Sequence, residues 1–202
     1  MIIHSLFPTP LFQSYIPIQP KWLDVVSTND YTYTGLNWIS DDRNIWVNKK
    51  LKDLAEEIQK QAEYYAYNVL QVSPNVSIDI VRGWSVKHLP GDSAKQHCHT
   101  NAVWSGVYYL DVPLNSGDII FDKGVSFPNC FLPILEPDVS SYNDFTTRTW
   151  RFTPGSGTLI IFPSQLLHHV EKNQSDSDRY CIGFDIFIRG SMGESYGSLV
   201  TL

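Results

Sequence analysis

HCHTNAVWSGVYYLDV, residues 97–112, sets two histidines one residue apart and follows them with an apolar run that alternates like a β-strand. In an extended segment residues i and i+2 share a face, so His97 and His99 present two imidazoles side by side while Cys98 points away. One metal ion needs such a pair. Two histidines in a turn can equally be hydrogen-bonded surface groups, so the pair by itself decides nothing and a third ligand is required. The same parity turns Ser105, Val107 and Tyr109 to one face and Gly106, Tyr108 and Leu110 to the other.

From residue 77 onward the chain keeps this character. SIDIVRGWSVKHL, GDIIFD, TRTWRFT, GTLIIF and RYCIGFDIFIR read as further strands, separated by the turn signals PGD at 90–92, NSG at 115–117 and PGSG at 154–157. Strands of similar length with no helices between them favour a mainly β fold, a β-sandwich or jelly roll, over an α/β fold. The core is expected over 76–190. Before it, a segment 1–75 carries one amphipathic helix over 51–70, whose Leu51, Leu54, Ala55, Ile58, Ala62, Tyr65, Ala66 and Val69 recur at spacings of three and four. That face braces a sheet, and the Glu56, Glu57 and Lys60 side carries no chemistry. Residues 122–146 fit no strand. Their three prolines, with Phe127, Phe131, Leu132 and Leu135, suggest a lid loop over a site.

The bulk properties bound the rest. A chain of 202 residues with 43% hydrophobic and 13% aromatic content can bury a sizeable core as a single domain, 1–202. Its net charge of −6 gives no basic stripe for nucleic acid. Cys98, Cys130 and Cys181 are odd in number and lack CxxC spacing, so neither a disulfide framework nor a zinc ribbon is expected, and a reducing cytoplasm is the expected compartment. MIIHSLFPTPLF lacks a basic n-region and is broken by His4, Pro8 and Pro10, and no stretch is long enough for a bilayer, so no membrane anchor is expected.

A third ligand is available in SQLLHHVEKN, where His168 or His169 follows the apolar run GTLIIFPSQLL. A strand ending in histidine opposite one beginning with HxH assembles a three-ligand site with open positions. Eleven residues beyond His168, Arg179 opens a strand whose parity puts Arg179, Cys181 and Gly183 on one face. Inside a barrel a guanidinium needs an anion and suits a ligand carboxylate; at an edge it would pair with Asp176 or Asp178. Trp84 and Lys87 are lesser candidates for the pocket wall.

Four blocks together resemble the Fe(II)- and 2-oxoglutarate-dependent oxygenases, in particular a subfamily of bacteria and marine phages. They are LFPTPLF at 6–12, HCHTNAVWSGVYYL at 97–110, FPSQLLHHVEKN at 162–173 and RYCIGFDI at 179–186, and they span nearly the whole chain. The resemblance implies a double-stranded β-helix (jelly roll, cupin-like) with an N-terminal supporting α-helix. It selects His168 over His169, and gives Fe(II) the ligands His97, His99 and His168. It maps the far carboxylate of 2-oxoglutarate onto Arg179, with Tyr109 against the same carboxylate. Cys181 stands where relatives carry a serine that helps Arg179, and is a weaker donor. Ser105 and Asn101 complete the residues expected near the cofactors.

The chain departs from the wider superfamily, which uses HxD or HxE, by having His99 in the third place. Read as HxH, the site is neutral, has one less negative charge, holds Fe(II) less tightly and could hold zinc. Read one frame later, Asn101 is the second proximal ligand. The activity implied is hydroxylation of a small molecule or protein residue, with 2-oxoglutarate decarboxylated to succinate. Two other readings stay open: a three-histidine zinc hydrolase or hydratase, and a non-catalytic jelly-roll binding module. Small-molecule or peptide substrates are the expected partners, a homo-oligomer is compatible with the sequence, and the substrate itself is not specified.

Overall fold

The computed structural model describes residues 1–124, 138–193 and 200–202. In chain order the elements are β1 (Phe12–Tyr15), α1 (Pro20–Ser27), β2 (Tyr31–Tyr33), β3 (Trp38–Ser40), α2 (Lys52–Tyr64), β4 (Val76–His88), β5 (Ala94–His97), β6 (Trp104–Asp111), β7 (Ile119–Asp122), β8 (Thr149–Phe152), β9 (Thr158–Pro163), β10 (Leu167–Val170), β11 (Arg179–Met192) and β12 (Val200–Thr201). Two short 3₁₀ turns, Ile45–Val47 and Lys49–Leu51, lead into α2, and a π-helical turn, Tyr65–Val69, continues it.

The strands form two sheets in which every named pairing is antiparallel. The larger runs β1-β9-β6-β11-β4-β3-β2, with β12 added to β11, and the smaller runs β5-β10-β7-β8. Two cores follow from side-chain alternation along the central strands. On one face of the larger sheet Tyr108 and Leu110 of β6, Leu159 and Ile161 of β9, and Ile182, Phe184 and Ile186 of β11 pack with Trp22 and Val26 of α1 and Leu54, Ile58 and Ala62 of α2. On the other face Tyr109, Ile160, Phe162 and Cys181 meet Ile119 and Phe121 of β7 from the smaller sheet. β9 reads as an unbroken apolar run because it is covered on both faces. This is the double-stranded β-helix, mostly β, with helices on one side.

Two elements depart from the sequence reading. The apolar run before His168 is not one strand: Leu166 N–H donates to the Pro163 carbonyl at 3.0 Å, the chain turns, and β10 begins in the other sheet. His168 therefore sits inside its own short strand rather than at the end of β9. The N-terminal segment is more than a brace, because β1, β2 and β3 extend the larger sheet at both edges and α1 adds a second packed helix. The helix expected over 51–70 corresponds to α2 with its π-helical continuation, and Leu54, Ile58, Ala62, Tyr65 and Ala66 are buried on its inner face. Of the lid expected over 122–146, residues 125–137 lie outside those described, and 138–146 form neither helix nor strand. No helix among the described residues is long and apolar enough to cross a membrane.

Candidate metal and anion site

The register of the smaller sheet brings the first two histidines together. His97, the last residue of β5, lies directly opposite His168 of β10, and their ring centroids are 4.3 Å apart. His99 lies beyond the strand, where backbone bonds rather than a ladder fix it: its N–H donates to the Ser164 carbonyl at 2.9 Å, and Ser164 N–H donates to Val103 at 3.1 Å. One candidate ligand atom from each of His97, His99 and His168 lies within 4.8 Å of the others.

Each imidazole is oriented from behind through its Nδ1. That of His97 meets the Lys95 carbonyl at 2.8 Å, that of His168 the Leu166 carbonyl at 2.9 Å, and that of His99 the Asp185 carboxylate at 2.8 Å. These acceptors have no proton to give, so each Nδ1 carries the hydrogen and Nε2 is the nitrogen left to face a metal. Burial pushes the His168 pKa down to about 3 and lowers that of His97 as well. His168, which is buried, is thereby held in the neutral form that ligates, while His97 stands exposed and is only shifted in the same direction.

Asp185 is a site residue that the sequence reading did not single out. It continues the face of β11 that carries Arg179, Cys181 and Gly183, and its side chain is fully buried. Besides the bond from His99, it accepts from Ser105 Oγ at 2.6 Å and from Arg82 Nε. Burial opposes its ionisation, but these three donors outweigh that and hold its carboxyl below the usual range. Arg82 lies opposite it on β4, beside the irregularity in the β4–β11 register.

The three histidines open onto a chamber between the sheets, and Arg179 lies in its wall with Tyr109, Cys181, His88 and Trp84. Arg179 is only 1% exposed, although it begins a strand. Its Nη1 donates to the carbonyls of Ser116 at 3.2 Å and Gly117 at 2.6 Å, and its guanidinium lies 5.1 Å from the Tyr109 ring centroid. Among the described residues no carboxylate pairs with it. Arg179 Nε, the Tyr109 hydroxyl and His88 Nδ1 are all buried and make no hydrogen bond of good geometry among the described residues, the phenol standing beside the guanidinium. Burial raises the Tyr109 pKa, against the opposing charge of Arg179, so the phenol keeps its proton. Burial also pushes His88 down to about 3, helped by Arg179, so that ring is neutral.

A cation–π contact returns up to about 2 kcal/mol, whereas a buried charge without a counter-ion costs several kcal/mol. The cluster around Arg179 thus has the chemistry of a carboxylate site: one fixed cation and further unfilled polar atoms, facing an anion with roughly four acceptor positions.

Not all expected residues join this chamber. Ser105 is turned beneath His99, where it donates to Asp185 and meets Ser164 Oγ at 3.0 Å, and it does not line the chamber. Asn101 sits exposed on the loop with φ of 60° and does not line the chamber. Lys87 faces the other side of β4, over the rings of Tyr31 and Trp38. Cys181 is in the wall, with its thiol pKa raised by burial. Cys98 is exposed.

Residues 82–185 match a family model described as "Putative 2OG-Fe(II) oxygenase". No curated protein matches the sequence. Among solved structures, the non-heme alpha ketoglutarate dependent epimerase SnoN from nogalamycin biosynthesis aligns with a TM-score of 0.64 and 13% identity, over 90% of this chain and 81% of its own. HygX from Streptomyces hygroscopicus, solved with nickel and 2-oxoglutarate bound, aligns at 0.59 and 10% identity, over 88% and 82%. A Pseudomonas putida prolyl-4-hydroxylase aligns at 0.54 and 11% identity, over 88% and 92%.

Proposed function

We propose, from the premise that this chain belongs to the 2OG-Fe(II) oxygenase family, that His97, His99 and His168 hold Fe(II) and that Arg179 holds the far carboxylate of 2-oxoglutarate. The observation that carries the assignment is a fully buried arginine, without a counter-ion among the described residues, in the same chamber as three converging imidazoles. When bound, Fe(II) and 2-oxoglutarate together supply the oxidant: dioxygen is consumed, 2-oxoglutarate is decarboxylated to succinate, and one oxygen atom goes to the substrate.

The chain's own groups supply position and dryness. Three protein ligands leave positions open for a chelating co-substrate, and the carbonyls of Lys95 and Leu166 keep the lone pairs of His97 and His168 aimed at one point. Arg179 is itself anchored by the Ser116 and Gly117 carbonyls, so the anion meets a fixed guanidinium. The protonated Tyr109 hydroxyl donates to the same carboxylate. Apolar walls from Ile119, Val107 and Val170 keep water from the reacting atoms. The substrate fits the small-molecule or peptide class, and the finer assignment to a bacterial and phage subfamily rests on the HxHxN, SGVYYL and FPSxLxH patterns. The compartment expected from cysteine usage is the cytoplasm.

A zinc hydrolase leaves Arg179 and its unfilled neighbours without a role. The direct test is succinate release from 2-oxoglutarate by protein loaded with Fe(II) in air. Release above the metal-free background, lost in Arg179→Met, is expected. Hydrolytic activity with zinc that survives Arg179→Met would overturn the assignment.

A further inference from the structure

An HxH site gives up the carboxylate that HxD sites place on the metal, yet a fully buried carboxylate lies one hydrogen bond behind it. Asp185 Oδ1 accepts from His99 Nδ1 at 2.8 Å and from Ser105 Oγ at 2.6 Å, while Oδ2 accepts from Arg82 Nε. The other two imidazoles rest on neutral backbone carbonyls. His99 alone is backed by a charge, and it occupies the place where most of the superfamily has its acidic ligand.

Resting on the metal-site reading above, we infer that Asp185 is the positioning residue that returns the missing negative charge to the metal through His99. A carboxylate bonded to Nδ1–H fixes the tautomer and makes Nε2 a stronger donor, and such partners change metal affinity by about 10–100-fold. Arg82 does not cancel this effect. Its side chain is 42% exposed while that of Asp185 is 0% exposed, so water screens the arginine and not the bond to His99. Ser105 steadies the Oδ1 edge that His99 meets, and Arg82 takes only Oδ2. Ser105 thereby has a function, though at one remove from the one its strand face suggested. Replacement by asparagine keeps the shape and one acceptor oxygen for His99, removes the charge and sets an amide NH2 against Arg82 Nε, so the unfolding temperature is read beside the affinity to separate a packing loss from the electrostatic role.

The test is anaerobic Fe(II) and Co(II) titration of metal-free full-length wild type, Asp185→Asn and Arg82→Gln, with thermal unfolding of each and the visible spectrum of the Co(II) forms. Asp185→Asn should bind about 10–100-fold more weakly and shift the Co(II) ligand-field bands, while its metal-free form still unfolds cooperatively, at a lower temperature than wild type. Arg82→Gln should bind at least as tightly as wild type. Equal affinity and an identical spectrum in Asp185→Asn would overturn the inference. Should that variant fail to fold, a tenfold weaker Arg82→Gln with unchanged unfolding would overturn it instead. Wild type that binds no metal would sink the metal-site reading itself, a different and distinguishable result.

Discussion

Arg179 shows how a single side chain can specify a ligand by what it lacks. A guanidinium that is 1% exposed, tied to two carbonyls and facing unfilled polar atoms is costly until an anion arrives. Truncating one partner of such a charge-assisted pair costs about 2–5 kcal/mol, so Arg179→Met should weaken 2-oxoglutarate binding by at least about 30-fold, read by calorimetry on the metal-loaded protein. Tyr109→Phe removes one neutral hydrogen bond of about 0.5–1.5 kcal/mol and should cost only a few-fold to about tenfold. A Tyr109→Phe loss as large as that of Arg179→Met would show that the phenol, not the cation, dominates. At this scale much was legible: His97, His99, His168, Arg179 and Tyr109 follow from spacing, strand parity and family pattern. Asp185 lies one step further along the face already read from Arg179 to Gly183, and parity alone reaches it. What the sequence could not show is its partner, because His99 is placed by a loop bond to Ser164, not by a ladder.

At the scale of elements, β6 and β11 carry the anion side of the site, Tyr109 and Arg179, and depend on close backbone approach. Gly106 of β6 lies under the Phe184 ring of β11, where an added Cβ would overlap that ring and come within 2.7 Å of the Ile160 carbonyl. Gly106→Ala should therefore destabilise the protein by about 1–3 kcal/mol, seen as a lower urea midpoint; an unshifted midpoint would mean that the strands part more easily than their packing implies. The long strands β4, β6, β9 and β11 announce themselves by alternation or by continuous apolarity. The short strands β1, β2 and β3 have three or four residues each, too few for a period, and pair because the growing sheet offers them an edge. The break between β9 and β10 was hidden for a related reason: an apolar run records burial, not which sheet does the burying.

Across the whole molecule, burying neutral histidines ties stability to pH. His88 and His168 have folded pKa values of about 3 against an ordinary value near 6.5, so below that value the unfolded chain takes up protons that the folded chain refuses. Stability of the metal-free protein should be fully present above pH 6.5. It should fall as pH drops towards 3, by about 1.4 kcal/mol per pH unit for each group at the steepest. The lowered Asp185 carboxyl acts in the same direction, its contribution disappearing as pH falls through its folded value. Urea unfolding at a series of pH values between 7 and 4 checks the slope, and stability that is flat across this range would contradict burial of the two rings in neutral form. Bound metal should steepen the loss, since protons then compete for the same nitrogens.

The central claim is that three histidines and one buried arginine hold Fe(II) and 2-oxoglutarate in one chamber. Its most direct test is an anaerobic titration of the metal-free protein with Fe(II) and then 2-oxoglutarate, following the visible charge-transfer band that arises only when the 2-oxo acid chelates the iron. The account predicts a band that saturates at one equivalent of each and is lost from Arg179→Met at the same 2-oxoglutarate concentration. Iron bound at one equivalent with no band in the wild type, or a band indifferent to Arg179→Met, would contradict it.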